Sequence, residues 1–445
     1  MHRGVSRRYA RDCRGSHRVR ERIARATSNV ASHLPRRHRP DYQILLFMAL
    51  LMLVGLIMIY AVGPQRAQLL NYSFGTQNYG SSYFFIRHAL SLGVALAAFF
   101  IMSKVSFRWL QSHTTKLLIA ALIACLVLAI AGAMKLPIAP EILGAVRWFD
   151  LGILGSVQPA EFLKFALVLF VAGFLAVRFK NSEVSDLQAT LIPLASLVGL
   201  VTLFVVVLQK NLSTGLVLMA IVFAMLFVAG LRSRIILTVL VVGIVGAVGL
   251  IATSEHRRER VATFFQGDTV NLNDDSTRHI NQAKIAIGSG GLTGLGIGNS
   301  IQSTGYLPEA INDSLFAIIG ETFGLVGLVA VTGLFVALYA RMLHVADHLN
   351  DMRLKLIVIG IFAWLATHTF INIAAMIGFA PLTGITLPLV SFGGTSMVFI
   401  AGALGLVFQL SQYTVNDTSV EGGKNEDSRS RRGLGRPRHT YRSGA

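Results

Sequence analysis

Stretches of roughly 18 or more predominantly apolar residues recur along this chain, each long enough to cross a bilayer as a helix. Inside lipid every backbone N–H and C=O must be satisfied by the chain itself, and runs of this length satisfy them as helices. The fold expected is therefore all-α: a polytopic membrane helical bundle of about ten transmembrane helices. The spans fall near 42–62, 84–103, 117–134, 160–177, 189–208, 213–230, 234–252, 314–340, 356–377 and 395–412. Length alone would suggest about three soluble domains, but the hydropathy overrides that prior.

The net charge of +18 is concentrated at the ends of the chain. Residues 1–41 and the tail 413–445 hold roughly half of all Lys and Arg, and the spans fill the domain 42–412 between them. Such tails stay on the cytoplasmic side and lie against anionic lipid. They lack the interleaved aromatics that stack on bases, so no nucleic-acid partner is expected. The short loops agree with that orientation. Loops on the side of the tails carry Lys104, Arg108, Lys116, Arg178, Lys180, Arg232, Arg234, Arg341, Arg353 and Lys355, against Arg66, Lys135, Arg147 and Lys210 on the other side. Both termini are expected in the cytoplasm and the C-terminal tail is expected to be disordered. The N-terminal segment is read as a tail, not a cleaved signal, because the first apolar run spans and has no small-residue cleavage site. Cys13 and Cys125 imply no disulfide and have no metal-site spacing.

Two segments on the outer side stand apart. Residues 253–313 form a long loop rich in charge and glycine, and loops of that length are usually functional. Residues 378–394, GFAPLTGITLPLVSFGG, hold no charge but carry prolines and glycines that forbid a regular helix. Irregular backbone at membrane depth survives only where protein or a wet cavity covers it. This segment is expected to be re-entrant.

Polar residues within the spans carry the functional argument. In INDSLFAIIGETFG, Asp313 stands at the mouth of a span, where an Asp is a good helix cap; Glu321 stands inside it. A buried ionisable residue costs roughly 3 kcal/mol on insertion scales, so Glu321 is expected to face the bundle interior. Glu161 and Lys164 are three apart and share a helix face. With Arg147 and Gln158 they gather at the outer end of one span. Two readings of that group remain open: interfacial anchors with an internal ion pair, or a cationic surface for an anionic headgroup.

The blocks AVRWFDLG, QPAEFLK, AIGSGGLTGLGIGNSIQSTGYLPEA, NDSLFAIIGETFG and PLTGITLPLVSFGGTS occur in the order seen in the SEDS family of peptidoglycan glycosyltransferases, which residues 42–412 resemble. GIGNSIQ and YLPEA look more like its division-type than its elongation-type members, though an elongation role stays open. The resemblance implies Asp313 as the catalytic carboxylate. It places substrate-binding roles on Gln158, Glu161, Lys164, Gln282, Ser391, Gly393 and Gly394, with Arg147 beside them. Several positions depart from the family's pattern. Asn312 and Ser314 replace Thr and Phe, and Ala160 replaces Ser. Gln209-Lys210-Asn211 replaces Gln-Pro-Asp, and Thr322 replaces the second acid of Gly-Glu-Glu. Arg278-His279 replaces Tyr-Gln, and His368 replaces Gln.

The substrate so implied is lipid II, and the leaving group is undecaprenyl pyrophosphate. Asp313 would take the acceptor hydroxyl's proton. Arg147 and Lys164 would hold the pyrophosphate, with Glu161 orienting Lys164. Glu321 is assigned a structural role. A divalent cation would suit the pyrophosphate, but the sequence shows no cage for one, and no cofactor is expected as a requirement. The chain is expected in the bacterial cytoplasmic membrane. Its expected partners are a class B penicillin-binding protein, which would supply crosslinking, and other division proteins. The competing readings are a flippase for the lipid-linked precursor and a noncatalytic scaffold of the division complex.

Overall fold

The computed structural model describes residues 38–414 apart from 76–77, 142–144, 151, 153–154, 253–257 and 259–274. Most of both basic tails, Cys13 and most of the charged stretch 253–274 lie outside the described residues. The chain divides into a unit of Pro40–Ser411, which holds the helices, and a second unit made from Met1–Arg39 with Gln412–Ala445. In the second unit the His38 amide donates to the Gln412 carbonyl at 2.8 Å.

Every expected span coincides with a helix. In chain order the helices are α1 (Tyr42–Phe74), α2 (Tyr83–Lys104), a short α3 (Phe107–Ser112), α4 (Thr114–Ala133), α5 (Pro159–Lys180) and α6 (Leu187–Leu208, with a π-turn at each end). They continue as α7 (Leu212–Val228), α8 (Ser233–Ala252), α9 (Asp275–Ser289), α10 (Leu315–Asp347), α11 (Met352–Met376) and α12 (Gly394–Leu410). Among the described residues, eight helices are long and apolar enough to cross a membrane. Of the other two expected spans, α7 is apolar but has 17 residues, and α8 is a 20-residue helix. A two-stranded antiparallel ribbon, β1 (Phe149–Asp150) with β2 (Ser156–Val157), leads into α5.

The bundle is ordered from its centre outward. Helices α5, α11 and α12 are the most buried spans, while α2, α4 and α6 keep most of their surface outward, as lipid-facing helices do. α12 packs along α2, and α11 packs on α5, α7 and α10. Gly405 allows the closest of these approaches, because a Cβ there would overlap the Phe99 carbonyl of α2. Polar caps fix the ends. Asp41 accepts from the Gln43 amide at the start of α1 and pairs with Arg341 of α10. Asp351 accepts from the Arg353 amide at 2.8 Å at the start of α11. Asn211 accepts from the Thr214 amide at 3.1 Å at the start of α7. An Asn caps about as well as an Asp, so the missing acid of the Gln209–Asn211 corner leaves that helix start intact.

Two helices run past the expected limits. α1 has 33 residues, about 50 Å at 1.5 Å per residue, and it includes Pro64 and Arg66, which hydropathy alone assigns to a loop. α10 also has 33 residues, but it is broken at Gly324, whose φ of 66° and ψ of −162° are not helical.

Candidate active site

The break in α10 is where the outer loop engages the bundle. In an unbroken helix the amides of Leu325 and Val326 would donate to the carbonyls of Glu321 and Thr322. Here all four groups find partners in the glycine-rich loop. The Leu295 and Gly296 amides donate to Glu321 O and Thr322 O at 2.9 and 3.0 Å. The Leu325 and Val326 amides donate to Gly291 O and Leu292 O at 2.9 and 3.2 Å. The loop can come this close only because Gly294 and Gly324 lack a Cβ, which at either position would overlap the opposite backbone. The glycines of GSGGLTGLG thus replace two helical hydrogen bonds with four inter-segment ones.

Glu321 completes the same junction. It is 1% exposed. Its carboxylate accepts from the Ser300 hydroxyl and from the Ile301 and Gln302 amides at 2.9 and 3.1 Å. Its partners are loop donors about 20 residues upstream, not a cation in the bundle. The next residue of the loop, Ser303, bonds Gln65 of α1.

Asp313 lies just before α10 and is 9% exposed. The cap position of α10 falls on Ser314, one residue further on, and the Ser314 side chain makes no cap hydrogen bond. The main chain of Asp313 is held from α11. Asn372 of α11 donates to Asp313 O and to Ile385 O, both at 2.7 Å, and so ties the turn to the irregular segment that follows α11. That segment has no regular structure from Phe379 to Gly393 and is largely buried, which agrees with the re-entrant reading. The Phe392 amide donates to Ile311 O at 2.9 Å, and Ser213 of α7 donates to Thr383 O at 2.8 Å. Gly384, at φ 67°, sits beside the carboxylate: a Cβ there would stand 4.0 Å from Asp313 Oδ2.

Ser314 receives a partner that the sequence did not assign. Its hydroxyl donates to Pro308 O at 2.8 Å, and His279 Nε2 of α9 lies 2.6 Å from Ser314 Oγ. A serine has one proton, already given to Pro308, so the imidazole is the donor to Oγ. Gln282 is three residues further along α9 and half-buried.

The expected cationic group divides into two places. Lys164 has no exposed surface. Its ammonium pairs with Glu161 at 2.8 Å, lies 3.0 Å from His368 Nε2, and sits 5.1 Å from the centre of the Trp364 ring. Glu161 Oε2, His368 Nδ1 and Trp364 Nε1 are buried with no hydrogen-bond partner among the described residues. Arg147, at the ribbon, is half-buried and donates to Lys210 O at 3.0 Å, which latches it to the corner between α6 and α7. Gln158 occupies the cap position of α5, and its side chain makes no cap hydrogen bond. His368 and Asn372 are four apart on α11, so the Lys164 cluster lies about 6 Å along the helix from the residue that holds Asp313. Both are polar residues in an apolar span, which is the signal that marks them.

Ser391 is 2% exposed and accepts from the Leu387 amide at 3.0 Å, closing the re-entrant segment on itself. Gly393 and Gly394 open α12 beside α2, where a Cβ on Gly394 would lie 3.5 Å from Ser91 Oγ. Thr395, in the same turn, donates to Ser156 O of the ribbon at 2.9 Å.

The comparisons with known proteins converge. The profile of the FtsW/RodA/SpoVE family of cell cycle proteins matches residues 42–416. Stage V sporulation protein E of Bacillus subtilis is 31% identical over 84% of this chain and 98% of its own length. The probable peptidoglycan glycosyltransferase FtsW of Aliivibrio salmonicida is 33% identical over 83% of this chain and 88% of its own. A chain solved in work on structural coordination of polymerization and crosslinking by a peptidoglycan synthase complex superposes with a TM-score of 0.64 at 25% identity, covering 84% of this chain and 97% of that one. The crystal structure of the rod shape determining protein RodA of Thermus thermophilus gives 0.56 at 25% identity, over 85% and 98%. A profile match spanning the whole bundle, with relatives above 30% identity over most of both chains, leaves one conclusion: this chain is a member of the FtsW/RodA/SpoVE family.

Proposed function

We propose that this multi-pass membrane protein is a peptidoglycan glycosyltransferase that polymerises lipid II at the outer face of the bacterial cytoplasmic membrane, with Asp313 as general base. In the reaction the acceptor's sugar 4-hydroxyl attacks the anomeric carbon of the donor strand. The new C–O bond forms as the bond to the pyrophosphate breaks, with inversion, and undecaprenyl pyrophosphate leaves with the electron pair. The hydroxyl proton passes to the Asp313 carboxylate. The observation that carries this reading is the way Asp313 is held. Its backbone is clamped by Asn372 and its carboxylate stands at Gly384 of an irregular, buried segment, so the base is held at a fixed place beside that segment. Enzyme function is supported by relatives named as peptidoglycan glycosyltransferases across more than four-fifths of this chain.

Arg147 is the cation we assign to the pyrophosphate, because it is half-buried at the site's rim. Lys164, enclosed by Glu161, His368 and Trp364, acts from behind by holding α5 against α11. Gln158, Gln282, Gly393 and Gly394 line the approach for the sugar and phosphate groups. Among the described residues no three or more His, Cys, Asp or Glu gather where a metal would bind, and no step here is routed through one. Any divalent cation would enter with the pyrophosphate.

We place both termini in the cytoplasm, on the charge asymmetry of the loops. We assign the chain to division, with a class B penicillin-binding protein as its crosslinking partner. The deciding measurement is glycan-strand synthesis from purified lipid II by the full chain in liposomes, with and without that partner. Asp313→Asn should lower synthesis about a hundredfold or more, because the amide cannot accept the proton, with a melting temperature near that of the unaltered chain. Near-normal synthesis by Asp313→Asn would remove the base and favour the transport or scaffold reading.

A further inference from the structure

A second cleft opens at the other end of the bundle, between α4, α5 and α11. Helix α11 carries both landmarks: Asn372 holds the Asp313 turn, and Arg353, nineteen residues earlier, lines the cleft. At 1.5 Å per residue these are about 28 Å apart, close to the ~30 Å thickness of a bilayer's hydrocarbon core. Arg353 therefore stands at the membrane interface opposite Asp313. The short helix α3 marks the same level. It buries Phe107 and Leu110 and exposes Trp109, which stacks on His113 at 4.7 Å, an arrangement typical of interfacial aromatics.

The cleft measures about 230 Å³ and has a mixed lining. Gln111, Thr114, Thr115 and Arg353 supply polar groups, while Phe107, Phe170 and Phe174 supply apolar surface. Arg353 is half-buried, and among the described residues its guanidinium forms no ion pair within 4.0 Å. The Asp351 carboxylate caps the helix and attracts the guanidinium from beyond ion-pair distance. Two charges of the same end of the bundle are paired, Arg178 with Glu183 at 2.7 Å and Lys355 with Asp347 at 3.3 Å. A half-buried guanidinium that forms no close ion pair, beside hydroxyls and aromatic side chains, calls for an anion that carries hydrocarbon. The volume is below the ~300–1,000 Å³ of a pocket enclosing a drug-sized molecule, so it suits a headgroup whose chains lie outside.

We propose that this cleft binds the phosphate headgroup of an anionic phospholipid from the leaflet opposite Asp313, with Arg353 on the phosphate and an acyl chain along Phe170 and Phe174. The inference needs only the membrane embedding of the bundle and stands apart from the assignment of Asp313.

Native mass spectrometry of the full chain in detergent, titrated with phosphatidylglycerol or phosphatidylcholine, tests it. The chain should retain phosphatidylglycerol in preference to phosphatidylcholine. Arg353→Gln should weaken that retention about tenfold, the worth of one charge-assisted hydrogen bond. Gly173 lines the cleft, and a Cβ there meets nothing within 4 Å. Gly173→Leu should therefore block the lipid with every charge kept, which decides the matter even if Arg353→Gln fails to fold. Lys180→Gln, an exposed cation at the same level outside the cleft, should change nothing. Equal retention of the two lipids, or retention unaltered by Gly173→Leu, would overturn the proposal. So would displacement of the lipid by millimolar inorganic phosphate, which would make the site one for a soluble anion.

Discussion

Glu321 and Glu161 are both carboxylates with almost no exposed surface, yet their surroundings differ atom by atom. Both oxygens of Glu321 accept hydrogen bonds, and every donor belongs to the loop it anchors. Glu161 accepts from Lys164 through Oε1, while its Oε2 is buried without a partner, as are His368 Nδ1 and Trp364 Nε1 beside it. Buried polar atoms are nearly always hydrogen-bonded, so a complete network reads as scaffold and an incomplete one as a place built to receive something more. The Glu321 carboxylate has no bonding capacity left for a substrate, although Gln302 Oε1 and Thr322 Oγ1 beside it are buried without partners among the described residues. The Lys164 cluster, about one helical turn from the Asp313 anchor, has three unfilled positions. Chemistry is thus expected near the unfinished network and rigidity at the finished one.

The largest effect should come from breaking the unfinished network on one side only. Lys164→Ala strands the Glu161 carboxylate in the bundle, which should destabilise the protein by about 3–5 kcal/mol. Replacing both partners by apolar residues of similar volume is often neutral, so Glu161→Leu with Lys164→Met should regain most of the melting temperature. If the cluster serves the reaction, the double variant should stay well below normal in polymerisation despite its recovered fold. Normal synthesis by that double variant would reduce the pair to scaffold and remove the contrast with Glu321.

Glu321→Gln probes the finished network. An amide nitrogen would face hydroxyl and amide donors, leaving at least one buried donor unmet at a cost of roughly 1–3 kcal/mol. The melting temperature should fall, and polymerisation should fall less than in Asp313→Asn. A variant with normal stability and abolished synthesis would instead make Glu321 part of the chemistry. Thermal unfolding and turnover measured on one preparation separate the two outcomes.

The contrast also shows which parts were legible in the sequence. Helices follow from apolar runs that depend on local composition, so every expected span falls on a helix, and eight of these among the described residues are long and apolar enough to cross a membrane. The Glu161–Lys164 pair follows from its spacing of three, and the irregular 378–394 segment from its prolines and glycines. The break at Gly324 did not follow. Apart from Glu321 and Thr322 the run from Leu315 onward is apolar and reads as one helix, and the groups that replace its lost hydrogen bonds come from a loop some 30 residues upstream. The partner of Lys164 across the bundle, His368, was hidden for the same reason: the contact joins residues 204 positions apart. Long-range polar pairing leaves no periodic trace. What the sequence does show is that a buried His, Asn or Glu in an apolar run needs a partner, without saying where it is.

The smallest effect expected concerns a pair that bears on how far the departures around Asp313 matter. Ser314 stands where the family pattern has Phe, and His279 where it has Gln. In the structure these two replacements meet, 2.6 Å apart, directly after Asp313. His279→Ala should remove one neutral hydrogen bond to a buried hydroxyl, costing about 1 kcal/mol, and loosen the turn that carries Asp313. Turnover should drop a few-fold with little change in the substrate concentration needed, since the base moves and the binding residues do not. His279→Gln keeps an N–H donor at that position, so it should restore most of the loss in both measurements. Ser314→Ala loses this bond and the one to Pro308 O, so it should cost at least as much as His279→Ala, and adding His279→Ala to it should cost little more, because the shared bond is already broken. Additive losses would show that the two side chains act separately. The compensation between these departures would then be no more than proximity.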